Sequence, residues 1–141
     1  FRDIKPENVL LTEEFKVRLA DFGLTKRLQE GREYITAFGG TTRYLSPELQ
    51  KADEPQLNGN SQQFTQEILK KRIQTKEADI WAVGIMLYEL LARRHPFFTD
   101  NEDNIPLGEL VHRVTTIDPP EIPTHYPESL RKLIRRMLEK V

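Results

Sequence analysis

Cysteine is absent from this chain of 141 residues. That excludes disulfides, a thiolate nucleophile and cysteine-ligated zinc. Histidine is scarce: His95, His112 and His125 are scattered and form no metal-ligand spacing. No apolar run reaches the ~18 residues that a membrane span requires. An excess of one charge is also lacking. Lys plus Arg number 21, Asp plus Glu number 22, and the net charge of −1 argues against a nucleic-acid partner held by bulk charge. The first residues, Phe1-Arg2-Asp3, contain neither an initiator Met nor a signal peptide. The expectation from these absences is a piece of a longer, cytoplasmic product.

Apolar residues make up 38% of the chain and charged residues 30%, a composition that folds. A single domain of this length buries about two thirds of the surface exposed when unfolded. Val9–Thr12 and Lys16–Ala20 read as two short strands, with Glu13-Glu14 turning between them in a hairpin. Residues 23 to 45 show no sustained period and read as a long functional loop. Glu48 to Lys51 reads as a short helix after Pro47. Residues 53 to 63 are polar, broken by Pro and Gly, and read as an exposed linker. Phe64 to Ile73 fits a short amphipathic helix. Glu77 to Ala92 is the strongest helix, apolar nearly all round, and is expected to be central and buried. Leu107 to Val114 and Glu128 to Leu138 read as two amphipathic helices separated by Pro119, Pro120 and Pro123.

The chemistry is concentrated near the start. Arg2-Asp3-Ile4-Lys5-Pro6-Glu7-Asn8 is followed, thirteen residues after Asn8, by Asp21-Phe22-Gly23. Gly40-Thr41-Thr42-Arg43-Tyr44-Leu45-Ser46-Pro47-Glu48 and Asp79-Ile80-Trp81-Ala82-Val83-Gly84 come later. Phosphoryl transfer from ATP needs an acceptor for the proton of the attacking hydroxyl, cations on the phosphates, and fixed geometry. Asp3 suits the first role. Asn8 and Asp21 offer the hard oxygens that Mg²⁺ prefers, and the hairpin would bring Asp21 back beside Asn8. Lys5 lies two residues from Asp3 and can reach a phosphate as a point charge. Taken singly, each motif has an ordinary reading as a turn, a cap or a flexible loop. Taken in order, they point to one chemistry.

This set resembles the C-terminal lobe of a eukaryotic-type protein kinase, over nearly the whole chain apart from an apparent insertion at about 53–73. The resemblance implies a mainly α-helical partial kinase domain over residues 1–141, with a small β-hairpin beside the catalytic loop and no N-terminal lobe. It implies ATP and Mg²⁺ as cofactors and transfer of the γ-phosphoryl group to a protein substrate. It places Asp3, Lys5 and Thr41 in catalysis, Asn8 and Asp21 on the metal, and Lys5, Asn8, Leu10, Asp21 and Met86 around the nucleotide. Lys5 and Thr41 resemble the serine/threonine branch, with the Thr41 hydroxyl bridging Asp3 and Lys5. Glu7 and Glu89 match positions that hold a substrate arginine in basophilic kinases, and they read equally well as solvated acids. Gly84 reads as a site of close packing and His95 as structural.

Phe1 stands where the family usually has His, and as an aromatic residue keeps the apolar contact expected with Phe22. No Gly-rich loop, strand lysine or helix glutamate precedes Asp3, and the arginine that usually pairs with the glutamate at Glu48 is not reached. The chain alone is therefore expected to be inactive. Arg2 is placed to meet a phosphate on the long loop, with Thr36 the first choice and Tyr34 and Thr42 behind it. A non-catalytic, pseudokinase-like scaffold is the alternative function. A small-molecule phosphotransferase is disfavoured by the peptide-docking segment Gly40–Glu48.

Overall fold

The hairpin forms where the sequence alternates short apolar runs around two glutamates. Strand β1 (Val9–Leu11) pairs antiparallel with β2 (Val17–Leu19), Leu11 opposite Val17 and Val9 opposite Leu19. Thr12 closes the turn: its N–H donates to the Lys16 carbonyl at 2.9 Å, and its hydroxyl accepts from the Lys16 N–H at 3.1 Å. Phe15 completes the reversal with a φ of 59° and is 84% exposed. Of the segments the sequence pattern suggests, β1 omits Thr12 and β2 omits Lys16 and Ala20. The computed structural model describes residues 3–22, 35–37, 42–51, 72–99 and 105–140. Most of the loop over 23–45, the linker over 53–63, the helix expected from Phe64 and the insertion before residue 72 lie outside them, as do Phe1, Arg2, Tyr34 and Thr41.

One expectation is overturned among the described residues. Arg72 and Ile73 do not end a helix; Arg72–Gln74 is a strand, β4, paired antiparallel with β3 (Ile35–Ala37). Thr36 stands opposite Ile73. Pairing across 37 residues leaves no local periodicity to read, and each strand is only three residues long. The remaining elements are helical: α1 (Pro47–Lys51), α2 (Lys76–Ala92), α3 (Leu107–Thr116) and α4 (Glu128–Met137).

Helix α2 is the axis of the core. The Thr75 hydroxyl caps its start by accepting the Ala78 N–H at 3.3 Å, and Glu77 and Asp79 add negative charge to the first turn. Trp81, Ile85 and Tyr88 recur at helical spacing and pack with Phe97 and Phe98, with Leu110 and Val114 of α3, and with Ile134 of α4. The Trp81 and Phe97 rings lie parallel with centroids 6.0 Å apart. Leu45, Leu49 and Ala78 form a smaller cluster where α1 meets α2. The helix is not buried all round, contrary to its apolar circumference. Ile80 is 49% and Leu90 61% exposed. A 17-residue helix turns a stripe toward its partners and leaves the opposite face outside, whatever its composition.

Gly84 faces α4 as the sequence suggests. A Cβ built on it would lie 2.8 Å from Met137 Cβ and 3.0 Å from Leu138 Cδ2. Met137 Cβ is fixed to its own backbone, so the helices themselves would have to separate. Gly84→Ala should thus lower stability in urea denaturation by about 1–2 kcal/mol, the cost of overpacking less the helix propensity gained. A more stable variant would show that α2 and α4 yield freely.

After α2 the chain is pinned by a buried histidine. His95 Nε2 meets the Arg43 carbonyl at 3.0 Å, and its Nδ1 accepts the Phe97 N–H at 3.1 Å. An accepting Nδ1 puts the proton on Nε2, so the neutral ring satisfies both bonds. Burial depresses the His95 pKa to about 4, opposed by the bond to Arg43. The folded pKa lies below the unfolded value of about 6.5. The associated stability is present above pH 6.5 and is lost as pH falls toward 4, by about 2 kcal/mol at pH 5. His95→Gln can make both hydrogen bonds and does not titrate. The stability of the wild type relative to this variant should drop by that amount between pH 7 and pH 5, and parallel pH profiles would rule out the buried neutral imidazole.

Candidate active site

The residues before the hairpin are shaped by a proline. Lys5 is extended, with φ −156° and ψ 161°, as the residue before proline prefers. Pro6 then opens a single 3-10 turn, Pro6–Asn8, in which the Asn8 N–H donates to the Lys5 carbonyl at 3.0 Å. The buried Ile4 anchors the strand-like residues ahead of the turn. This turn reverses the chain so that Asn8, itself buried, faces back toward Asp3.

Asn8 Nδ2 donates to the Asp3 backbone carbonyl at 2.8 Å and approaches Asp3 Oδ2 at 3.4 Å. Lys5 Nζ lies 2.9 Å from the same Oδ2, with 13% of the Asp3 side chain and 25% of the Lys5 side chain exposed. The Lys5 ammonium is accordingly held above its ordinary pKa, chiefly by its hydrogen bond to Asp3, with Glu7 and Asp21 adding attraction. Asp3 is thus a nearly buried carboxylate, oriented by an amide and a cation.

The hairpin then delivers Asp21. The Ala20 N–H donates to the Asn8 carbonyl at 2.8 Å, closing the two strands at their base. Asp21 follows with a φ of 56°, a left-handed conformation in which Asp is enriched. It is exposed and stands within electrostatic range of Lys5. Asp3, Lys5, Asn8 and Asp21 are therefore brought together. Leu10, on β1, is 52% exposed. Met86 is half-buried on α2, whose main packing partners are α4 and the 3-10 turn Thr42–Tyr44. Thr41 lies outside the described residues, and Glu48 is exposed on α1.

Sequence reasoning missed Tyr44. Its hydroxyl donates to Glu89 Oε2 at 2.8 Å, joining the segment before Pro47 to α2. Burial raises the pKa of both groups, and the shared hydrogen bond opposes that rise for Glu89 and adds to it for Tyr44. A partner 45 residues away leaves no local signal. Glu89 had stood open between a substrate-arginine acceptor and a solvated acid; it is neither exposed nor unpartnered.

Comparison with known proteins gives the same answer at the level of family. The protein kinase domain model matches residues 1–141. Rhodopsin kinase of Homo sapiens is 31% identical over 140 residues, covering 99% of this chain and 21% of its own length. Catalytic subunit 2 of the cAMP-dependent protein kinase of Drosophila melanogaster is 32% identical over 139 residues, covering 99% of this chain and 32% of its own length. The serine/threonine-protein kinase cds1 of Schizosaccharomyces pombe is 32% identical over 138 residues, 98% of this chain and 27% of that protein. The chain spans between about a fifth and a third of the length of these relatives. No helix among the described residues is long and apolar enough to cross a membrane. With its Asp3–Lys5–Asn8 cluster, its hairpin and a family match over its entire length, this chain belongs to the protein kinase family.

Proposed function

We propose that the protein containing this chain is a serine/threonine kinase, which transfers the γ-phosphoryl group of ATP to a Ser or Thr hydroxyl of a protein. Residues 1–141 supply the C-terminal-lobe half of its active site. The observation that carries this reading is the Asp3 carboxylate, nearly buried and held by Asn8 and Lys5. Asp3 accepts the proton as the hydroxyl oxygen bonds to phosphorus. The bond from phosphorus to the bridging oxygen breaks, and ADP leaves. Lys5 is the point charge beside the phosphoryl group in flight. For Thr41 the proposed role is a hydroxyl that joins Asp3 and Lys5 during transfer.

The donor set fits Mg²⁺. Asn8 turns its amide nitrogen to Asp3, which leaves Oδ1, and Asp21 offers an exposed carboxylate next to the base of the hairpin. Two hard oxygens suffice for a cation that fills its shell with phosphate oxygens and water. When bound, Mg²⁺ neutralises charge on the phosphates. Leu10 and Met86 offer apolar surface to the adenine ring. The serine/threonine assignment is supported by Lys5 and Thr41 and by the similarity to the serine/threonine-protein kinase cds1 of Schizosaccharomyces pombe. The cytoplasm is the proposed compartment.

Two outcomes test the reading. In the full-length natural protein, Asp21→Asn should abolish phosphoryl transfer, and Asp3→Asn should slow it by about 10²–10⁴-fold, the range of a lost general base. Near wild-type turnover in either variant would remove that residue from the mechanism. The 141-residue chain alone should show no transfer and no tighter than millimolar binding of Mg-ATP in calorimetry, because it offers the nucleotide one wall. Micromolar binding would mean that this half of the site is sufficient.

A further inference from the structure

Beyond the candidate active site, a charged cleft of about 390 Å³ lies at the C-terminal end of α2, between that helix and the segment that carries Tyr44. Arg43, Arg93 and Arg94 line it together with Glu89, His95 and Phe98. The single carboxylate in it is occupied, since Glu89 takes the Tyr44 hydroxyl. His95 is neutral and already holds Arg43 by its carbonyl. That leaves three guanidinium groups, none within ion-pair distance of a carboxylate among the described residues, although Arg43 attracts Glu89 from further off. Arg43 is stacked over the Phe98 ring, 5.2 Å from its centroid, which fixes the cation without neutralising it. Arg93 occupies the C-cap of α2 with a φ of 58°, a position that usually goes to glycine. The helix dipole and Glu89 contribute negative charge to this end. Three cations outweigh them, so the cleft as a whole is cationic.

Glu7 lies one residue before Asn8 in the chain, and it is within electrostatic range of both Tyr44 and Glu89. Glu89 of the cleft is thus near the Pro6–Asn8 turn that also carries the candidate site, a separation that one bound polypeptide can bridge. We infer that the Arg43–Arg93–Arg94 cleft binds an anionic side chain of the polypeptide substrate, a phosphorylated Ser or Thr or a carboxylate, and so directs the enzyme toward acidic or already phosphorylated sequences. This rests on the kinase reading. It turns that reading from a basic toward an acidic substrate at this subsite, because the one carboxylate, Glu89, is tied to Tyr44 and attracted by Arg43. Although Arg94 also reaches the Tyr88 hydroxyl, three five-donor guanidiniums exceed what these two groups accept. Arginine forks suit planar carboxylates and phosphates in particular.

The test is a set of acceptor peptides identical except for one residue, alanine, glutamate or phosphoserine, walked through the positions flanking the acceptor serine. With the full-length natural protein, glutamate or phosphoserine at one position should lower KM about tenfold relative to alanine, as one charge-assisted hydrogen-bond pair would. Phosphoserine well ahead of glutamate identifies a phosphate site, and equal effects identify a carboxylate site. Arg93→Gln and Arg94→Gln should erase the preference while kcat on the alanine peptide persists, and a thermal melt checks that each variant is folded. Binding of a fluorescein-labelled phosphoserine peptide, followed by anisotropy without ATP, reads the cleft separately. Phosphopeptide binding that depends on Arg93 and Arg94 in a protein that transfers no phosphate would leave the cleft standing and sink the kinase reading. A preference that is absent at every position, or that survives both substitutions, overturns the inference. So does a preference that appears only after Asp100, Glu102 and Asp103 are neutralised, since the chain's own acids would then be the ligand.

Discussion

One backbone hydrogen bond, from the Ala20 N–H to the Asn8 carbonyl, sets the geometry on which the candidate site depends. Asp3 and Asp21 are eighteen residues apart, and two carboxylates serving one phosphate must be held within a few ångströms of a shared centre. The hairpin solves this with three residue pairs and a turn. Its base is fixed to the same residue, Asn8, whose side chain orients Asp3. The candidate proton acceptor and the candidate metal ligands therefore share one joint. A shift at Asn8 would move all of them together, which matters because misplacement of about 1 Å is costly in catalysis.

The surrounding structure serves that joint from outside. The chain after Thr42 is strung between α2 and the residues that follow it. Tyr44 is tied to Glu89 on the helix, and the Arg43 carbonyl is tied to His95 beyond the helix end. Both ties reach into the large core built on Trp81, Ile85 and Tyr88. The segment that resembles a peptide-docking element is thus fastened to the most buried part of the molecule, although it is itself a 3-10 turn and a five-residue helix with little internal stability.

Much of this was legible in the sequence. The hairpin announced itself by two apolar runs around Glu13-Glu14, and α2 by its composition. The gathering of Asp3, Lys5, Asn8 and Asp21 could be read because they lie within one short turn and one hairpin, where spacing nearly dictates proximity. Gly84 and His95 were also legible as packing residues. What could not be read is long in range. The β3–β4 pair joins two three-residue strands from distant segments, and a helical period was assigned where Arg72–Gln74 is a strand. The Tyr44–Glu89 bond and the gathering of Arg43 with Arg93 and Arg94 depend on how α2 is docked, and no periodicity encodes docking. The exposed Ile80 and Leu90 make the same point from the opposite side. Composition says how apolar a helix is, while its neighbours decide which face is covered.

His95 carries one more implication. Both nitrogens of its ring are committed, one to the Arg43 carbonyl and one to the Phe97 N–H. The ring cannot flip about its axis without breaking both bonds at once, and the proton on Nε2 cannot exchange with solvent unless the contact between Arg43 and the end of α2 opens. The lifetime of that single imidazole proton is therefore a clock for local opening, set by how often the segment carrying Tyr44 lets go of the core.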